Sequence, residues 1–253
     1  VGGRVFFVAD DFGLSDGVCD GIAQALGAGV VAAASAMMCV DGIAPRVARA
    51  GELMPRLGVH LQLTDGTARS PAGAVPSLVD PQRRFARRPP PSPAWRAEEV
   101  LAEWRAQLDY AAWLGLAPTH VDAHHHVFRE PAAFVAYAEL ARGQRLRARA
   151  LNPRMAALLR ARGVECFDGC VRWYGEEPTL DELGAAIDRG FAEAADGATL
   201  EVMCHPARAD AELPRLSSRV TARERELEIL CSPALGVALR ERGITVLSAA
   251  SRC

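Results

Sequence analysis

The sequence lacks any apolar run long and unbroken enough to cross a bilayer, so no membrane contact is expected. It also lacks a basic stretch followed by an apolar one at its start. No secretory signal is therefore in view, and the expected location is cytoplasmic for a chain that begins with Val. Cysteine forms no CxxC pair: the seven thiols are an odd number scattered over apolar segments, which excludes a disulfide framework and suits a reducing compartment. Excess charge of one sign is missing too. With a net charge of -2 and basic residues interspersed among acidic ones, there is no electrostatic footprint for nucleic acid. The arginine-rich stretches 83–88 and 142–149 are expected on solvated loops and helix ends. Internal repeats and a clear linker are absent as well, so residues 1–253 are read as one domain.

What remains is a chain whose residues are 50% hydrophobic, enough for a large core. Short apolar, β-branched or aromatic runs at 4–9, 30–38, 57–63, 119–122, 146–150, 200–204 and 245–247, with a weaker one at 164–167, predict strands. Between them, helical periodicity covers 16–28 (with Ser15 as N-cap), 43–54, 97–114, 131–142, 153–162, 180–195 and 222–242. Strands alternating with helices imply an α/β protein with a parallel sheet. The stretch 64–95 is Pro- and Arg-rich with little periodicity, and Pro89, Pro90 and Pro91 forbid a regular ladder. It reads as a long excursion over the rim of the site.

All six histidines fall in three places: His60, the cluster His120, His124, His125 and His126, and His205. Each place, like the pair Asp10 and Asp11, lies on or just after a predicted strand, and in parallel α/β folds the carboxyl ends of strands gather on one face. Alone, two carboxylates at a strand end are as readily a helix-capping turn. A lone strand histidine such as His60 is more often a satisfied core residue, and His205 before Pro206 decides nothing by itself. The cluster changes the balance. Four histidines and Asp122 within seven positions are costly to pack without purpose, since each imidazole wants partners for two nitrogens. Two imidazoles and one carboxylate form a facial set with open positions, the catalytic type of metal site. Asp11, His60 and His124 are the candidate trio. His120, Asp122 and His126 share strand parity with His124 and are candidates to orient ligands or touch substrate.

Taken together, ADDFGLS with Asp10 and Asp11, GVHLQLT with His60, PTHVDAHHHV, WYGEE at 173–177 and EVMCHPA with His205 resemble the YdjC-like carbohydrate deacetylases. The similarity runs in order over essentially the whole chain and is greatest to the chitooligosaccharide (chitobiose) deacetylases. It implies a distorted (β/α) barrel of the glycoside hydrolase and deacetylase type, often dimeric, with one divalent metal ion. By motif position it places the metal on Asp11, His60 and His124, the base on Asp10 and the acid on His205. A family arginine after the fifth strand falls on Arg147. The ligand types suit Zn, whereas the resemblance points to Mg. The expected reaction is hydrolysis of an N-acetyl group from an acetylated amino sugar, carried on a chitooligosaccharide or a natural product. Trp173 and Tyr174 could stack on a sugar face, but aromatics before a turn are more often packing residues. Two other readings stand beside the hydrolase. One is a metal-dependent phosphoesterase, which would need more bridging carboxylates. The other is a non-catalytic sugar- or metal-binding protein, whose mark would be loss of Asp10 or His205.

Overall fold

The computed structural model describes residues 2–91, 93–173 and 175–249. Strand β1 (Arg4–Phe12) is buried on both sides because it runs through the middle of a parallel sheet, where each face is covered. Val5, Phe7 and Ala9 belong to the large core with Val18, Ile22 and Leu26 of α1 (Asp16–Ala28). Phe6 and Val8, of opposite parity, pack instead with Ala32, Ala33 and Phe167 inside the curl of the sheet.

The remaining strands are β2 (Val31–Met37), β3 (Leu57–Leu61), β4 (His120–Ala123), β5 (Arg147–Ala148), β6 (Gly169–Arg172), β7 (Thr199–Cys204) and β8 (Thr245–Val246). All pairings are parallel, in the order β5-β4-β3-β2-β1-β7-β6, with β8 joining β1 at Arg4 and Val5. No ladder joins β5 to β6 among the described residues. The Ala148 N–H there donates to the Glu165 carbonyl at 2.8 Å instead. The expected distorted barrel is thus a curled half-barrel, open at one seam.

The helices are α1, α2 (Ile43–Ala48), α3 (Ala97–Trp113), α4 (Pro131–Gln144), α5 (Pro153–Arg160), α6 (Leu180–Glu193), α7 (Leu213–Leu216), α8 (Val220–Cys231) and α9 (Pro233–Glu241). Ser15 caps α1 as expected, its hydroxyl accepting from the Val18 N–H at 3.2 Å. Three expectations need correction. The strand expected at 164–167 lies at Gly169–Arg172, because the first segment serves as the connection along the open seam. The helix expected over 43–54 stops at Ala48 and resumes as a 3-10 turn, Gly51–Arg56, since Gly51 takes a left-handed φ of 51°. The helix expected over 222–242 is two helices, broken where Ser232 caps α9 and Pro233 opens it. Among the described residues no helix is long and apolar enough to cross a membrane.

Among its described residues the stretch 64–95 contains no helix and only two isolated antiparallel bridges, Thr67 with Arg84 and Val79 with Phe85. It is nevertheless tied down. Val75, Leu78, Phe85 and Trp95 are buried in the main core. The Glu103 carboxylate of α3 accepts the backbone N–H groups of Arg69 and Ser70, each at 2.9 Å, and Glu99 accepts that of Ser77 at 2.7 Å. These carboxylates supply the partners that a missing ladder would have given.

Candidate active site

The inward parity of β1 carries on from Phe6 and Val8 to Asp10, and the same inward row on neighbouring strands presents Ser35, His60, Asp122, Arg149 and Glu201. All six polar residues are buried. Arg149, just beyond β5, is the hub: its guanidinium grips both Asp10 oxygens at 2.7 Å, pairs with Asp122 at 2.6 Å and donates through Nε to Glu201 at 2.5 Å. A planar fork suits three carboxylates at once in a way a lysine ammonium does not. Burial pushes the Asp10 carboxyl up against the opposing pull of Arg149, and burial likewise raises Glu201. Burial would raise Asp122 as well, but Arg149 and His60 overcome it and hold that group below the usual carboxylate range.

Asp11 reaches the same cavity by a different route. Pairing of β1 with β2 passes from Ala9 with Ala34 to Phe12 with Ala36, leaving one extra residue on β1, and Asp11 takes a left-handed φ of 69°. Its Oδ1 lies 3.3 Å from His60 Nε2 and 3.2 Å from His124 Nδ1, and no hydrogen bond satisfies it. Its Oδ2 accepts from Arg223 of α8 at 2.5 Å. Although burial opposes ionisation, Arg223 and the two imidazoles keep the Asp11 carboxyl well below its ordinary range. Behind His60, Nδ1 meets Asp122 Oδ1 at 2.6 Å and the Ser35 hydroxyl at 3.2 Å. Burial disfavours charge on this ring, but Asp122 and Asp10 outweigh it and raise its pKa to about 10.

The donor set fits a divalent cation. Tetrahedral ligands at about 2.0–2.2 Å from one centre stand roughly 3.3–3.6 Å apart, close to the separations of Asp11 Oδ1 from the two nitrogens. An ionised carboxylate oxygen, buried and without a hydrogen-bond donor, is the group a cation would satisfy. Arg223 occupies the other oxygen and leaves this one open to a cation.

The cavity over this trio has a volume of about 780 Å³ and is lined by Asp10, Asp11, His60, His124, His126 and His205, among others. His205, just past β7, points Nε2 toward Asp10 Oδ2 at 4.0 Å, while its backbone N–H donates to Glu226 of α8 at 2.6 Å. Burial and the positive charge of Arg223 hold the His205 imidazole neutral, well below its ordinary pKa. Burial raises Glu226 to about 7.

Other expected site residues are spread differently. Strand parity stops at Ala123: His124, His125 and His126 form a 3-10 turn with left-handed φ of 54° and 51° at His125 and His126. His126 still reaches the cavity, whereas His120 sits below it, with Nδ1 on the Thr119 hydroxyl at 2.8 Å and a pKa that burial lowers to about 3. The arginine that meets Asp10 is Arg149, not Arg147. Arg147 lies over the rings of Phe6 and Phe167 at 4.6 and 4.5 Å, lower in the curl. The stretch 142–149 therefore includes a buried arginine where only solvated ones were expected. Trp173 is buried in the core and offers no stacking face, and Tyr174 lies outside the described residues. Sequence reasoning missed Arg149, Arg223, Glu226 and Asp65. Counting inward positions to the end of β5 would have found the first.

The family model for YdjC-like protein matches residues 4–241. The chain belongs to that family. A carbohydrate deacetylase from Geobacillus stearothermophilus is 38% identical over 95% of this chain and 94% of its own. A chitooligosaccharide deacetylase from Serratia marcescens is 34% identical over 93% of each. Among solved structures, a putative cellobiose-phosphate cleavage protein from Enterococcus faecalis V583 superposes with a TM-score of 0.88 at 29% identity, covering 98% of both chains. A Streptococcus mutans CE4 esterase shares the fold at a TM-score of 0.53 and 16% identity, over 97% of this chain and 86% of its own. Four of the family-like motifs, those that carry Asp10 and Asp11, His60, His124 and His205, line one cavity.

Proposed function

We propose that this protein is a metal-dependent carbohydrate deacetylase that hydrolyses the N-acetyl group of an amino sugar, with Asp11, His60 and His124 holding one divalent cation, Zn or Mg. The observation that carries this reading is the unsatisfied Asp11 Oδ1 set 3.2–3.3 Å from two imidazole nitrogens, with Asp10 and His205 beside it on the same cavity. The family relatives named for deacetylation of carbohydrates and chitooligosaccharides support the substrate class.

When bound, the cation lowers the pKa of a water and polarises the acetyl carbonyl. Asp10, fixed by the Arg149 fork, accepts the proton of the attacking water. His205 donates a proton to the departing sugar amine, so that the amide and water become acetic acid and an amine, which separate as acetate and the protonated amine. Because burial and Arg223 keep His205 neutral at rest, the proton it delivers is the one Asp10 has taken up. The 4.0 Å gap between Asp10 Oδ2 and His205 Nε2 is of the kind that closes in a substrate complex. Arg223 and Glu226 lie on α8, and their contacts with Asp11 and with the His205 backbone set the distance between the metal ligand and the proton donor.

A phosphoesterase would use two bridged metals, and the carboxylates here other than Asp11 are bound to arginine or turned to the backs of the imidazoles. A binding protein has no use for a base and an acid, yet Asp10 and His205 both line the cavity. The test is mass spectrometry of N-acetylated chitooligosaccharides incubated with metal-loaded protein. One acetyl unit should be lost and acetate released, and Asp10→Asn or His205→Ala should slow this about 10²–10⁴-fold. Near-native turnover by either variant would remove the assigned roles, and no acetyl loss from any acetylated sugar would remove the function.

A further inference from the structure

We infer that Asp65, the first acidic residue of the excursion over the rim, is a positioning residue for the metal site, holding His124 from behind so that its Nδ1 faces Asp11. The inference rests on the metal-site reading given above.

The two imidazoles present opposite nitrogens to Asp11: His60 through Nε2 and His124 through Nδ1. A ligating imidazole needs its lone pair on the metal side and its N–H on the other, so the group behind each ring selects the tautomer. For His60 that group is Asp122. For His124 it is Asp65, whose Oδ2 lies 3.4 Å from Nε2. His124 has left the strand and sits in an irregular turn, so no ladder fixes its ring.

Asp65 is itself fixed. Its N–H donates to the Ala86 carbonyl at 3.0 Å, and its own carbonyl accepts from Gln62 Nε2 at 3.0 Å. Gln62 is locked in turn by the Cys39 N–H at 2.8 Å. Asp65 and Gly66 both take left-handed φ, 55° and 87°, and this turns the carboxylate back over the cavity. The excursion thus supplies to one imidazole what strand β4 supplies to the other.

Asp65, His124 and His125 also lie close enough to share a cation of their own. Two contacts argue against it. The Thr64 hydroxyl occupies His125 Nδ1 at 3.0 Å, and the Arg87 guanidinium stands 3.7 Å from Asp65 Oδ1. Asp65 is therefore assigned to the imidazole N–H and not to a second metal.

The experiment is calorimetric titration of the full-length protein with Zn2+. Asp65→Gly deletes the carboxylate while suiting the left-handed turn, and Asp65→Asn keeps the shape and one acceptor oxygen. The expected result is one Zn2+ per chain throughout, an affinity about 10–100-fold weaker for Asp65→Gly, and recovery of most of that loss in Asp65→Asn. Binding by Asp65→Gly within about twofold of wild type would overturn the inference, as would an Asn variant no better than Gly. Two Zn2+ in wild type with one lost on substitution would do the same, making Asp65 a ligand. His60→Ala separates this proposal from the one beneath it. If His60→Ala loses Zn2+ and Asp65→Gly does not, only the role of Asp65 fails. If wild type binds none, the metal site itself fails.

Discussion

The half of the site carried by strands differs in kind from the half carried by loops and helices. Asp10, His60, Asp122, Arg149 and Glu201 sit on strands or just beyond them, buried, and each touches at least one other member of the set. Asp65, His124, Arg223 and Glu226 come from an excursion, a turn and helix α8: His124 and Arg223 each touch Asp11, Glu226 holds the His205 backbone, and Asp65 reaches the site through His124. One half is an interlocked block in which charges satisfy each other inside a low-dielectric interior. The other is a set of separate struts that aim individual groups. Rigidity and aim are thus supplied by different parts of the chain.

Breaking the hub should show the largest effect. Arg149→Met leaves three buried carboxylates without their cation, and removing one partner from such a set costs about 3–5 kcal/mol. Arg223→Met takes away a single contact of Asp11 and should cost roughly 1.5–3 kcal/mol. Denaturant unfolding of both variants measures the difference. Equal losses would mean that the strand-borne half is no more interlocked than the other.

A finer comparison sets the two imidazoles against each other. Asp122→Asn should weaken Zn2+ binding about 10–100-fold, and by more than Asp65→Asn, because Asp122 is completely buried and 2.6 Å from its ring. Titration of both variants ranks them. The reverse order would place the stronger hold in the excursion.

The last comparison concerns pH. Glu226 has a folded pKa raised from 4.5 to about 7 by burial. Between those values the folded chain keeps a proton that the unfolded chain has released, so this residue makes stability fall as pH rises. The slope is at most about 1.4 kcal/mol per pH unit. Glu226→Gln should flatten that part of a stability-pH curve. An unchanged curve would show that Glu226 is already ionised beneath His205.

Which half was legible in the sequence follows from the same physics. Asp10, His60 and Asp122 stand out because a polar residue inside an apolar, period-two segment breaks a pattern. Their convergence follows from parallel strands ending on one face. Arg149 was hidden by its neighbours: in RLRARAL alternate positions carry arginine, and only the exact end of β5 tells the upper from the lower. Glu226 and Arg223 lie in ARERELE, where charges on a helix read as a solvated face, and nothing in the chain says that this helix tips two of them inward. Asp65 belongs to a segment without period, whose course is set by α3 carboxylates far along the sequence. The curled sheet was legible from the alternation of elements. Its open seam was not, because it depends on β5 being two residues long.

The extra residue in β1 carries a lesson for anyone transplanting this chemistry. On a regular strand, adjacent side chains point to opposite faces, and one of two neighbouring acids would be lost among helix side chains. The irregularity at Asp11 brings both acids to the same chamber while giving them different partners, Arg149 for one and Arg223 for the other. A borrowed Asp-Asp pair grafted without its kink would deliver half a machine.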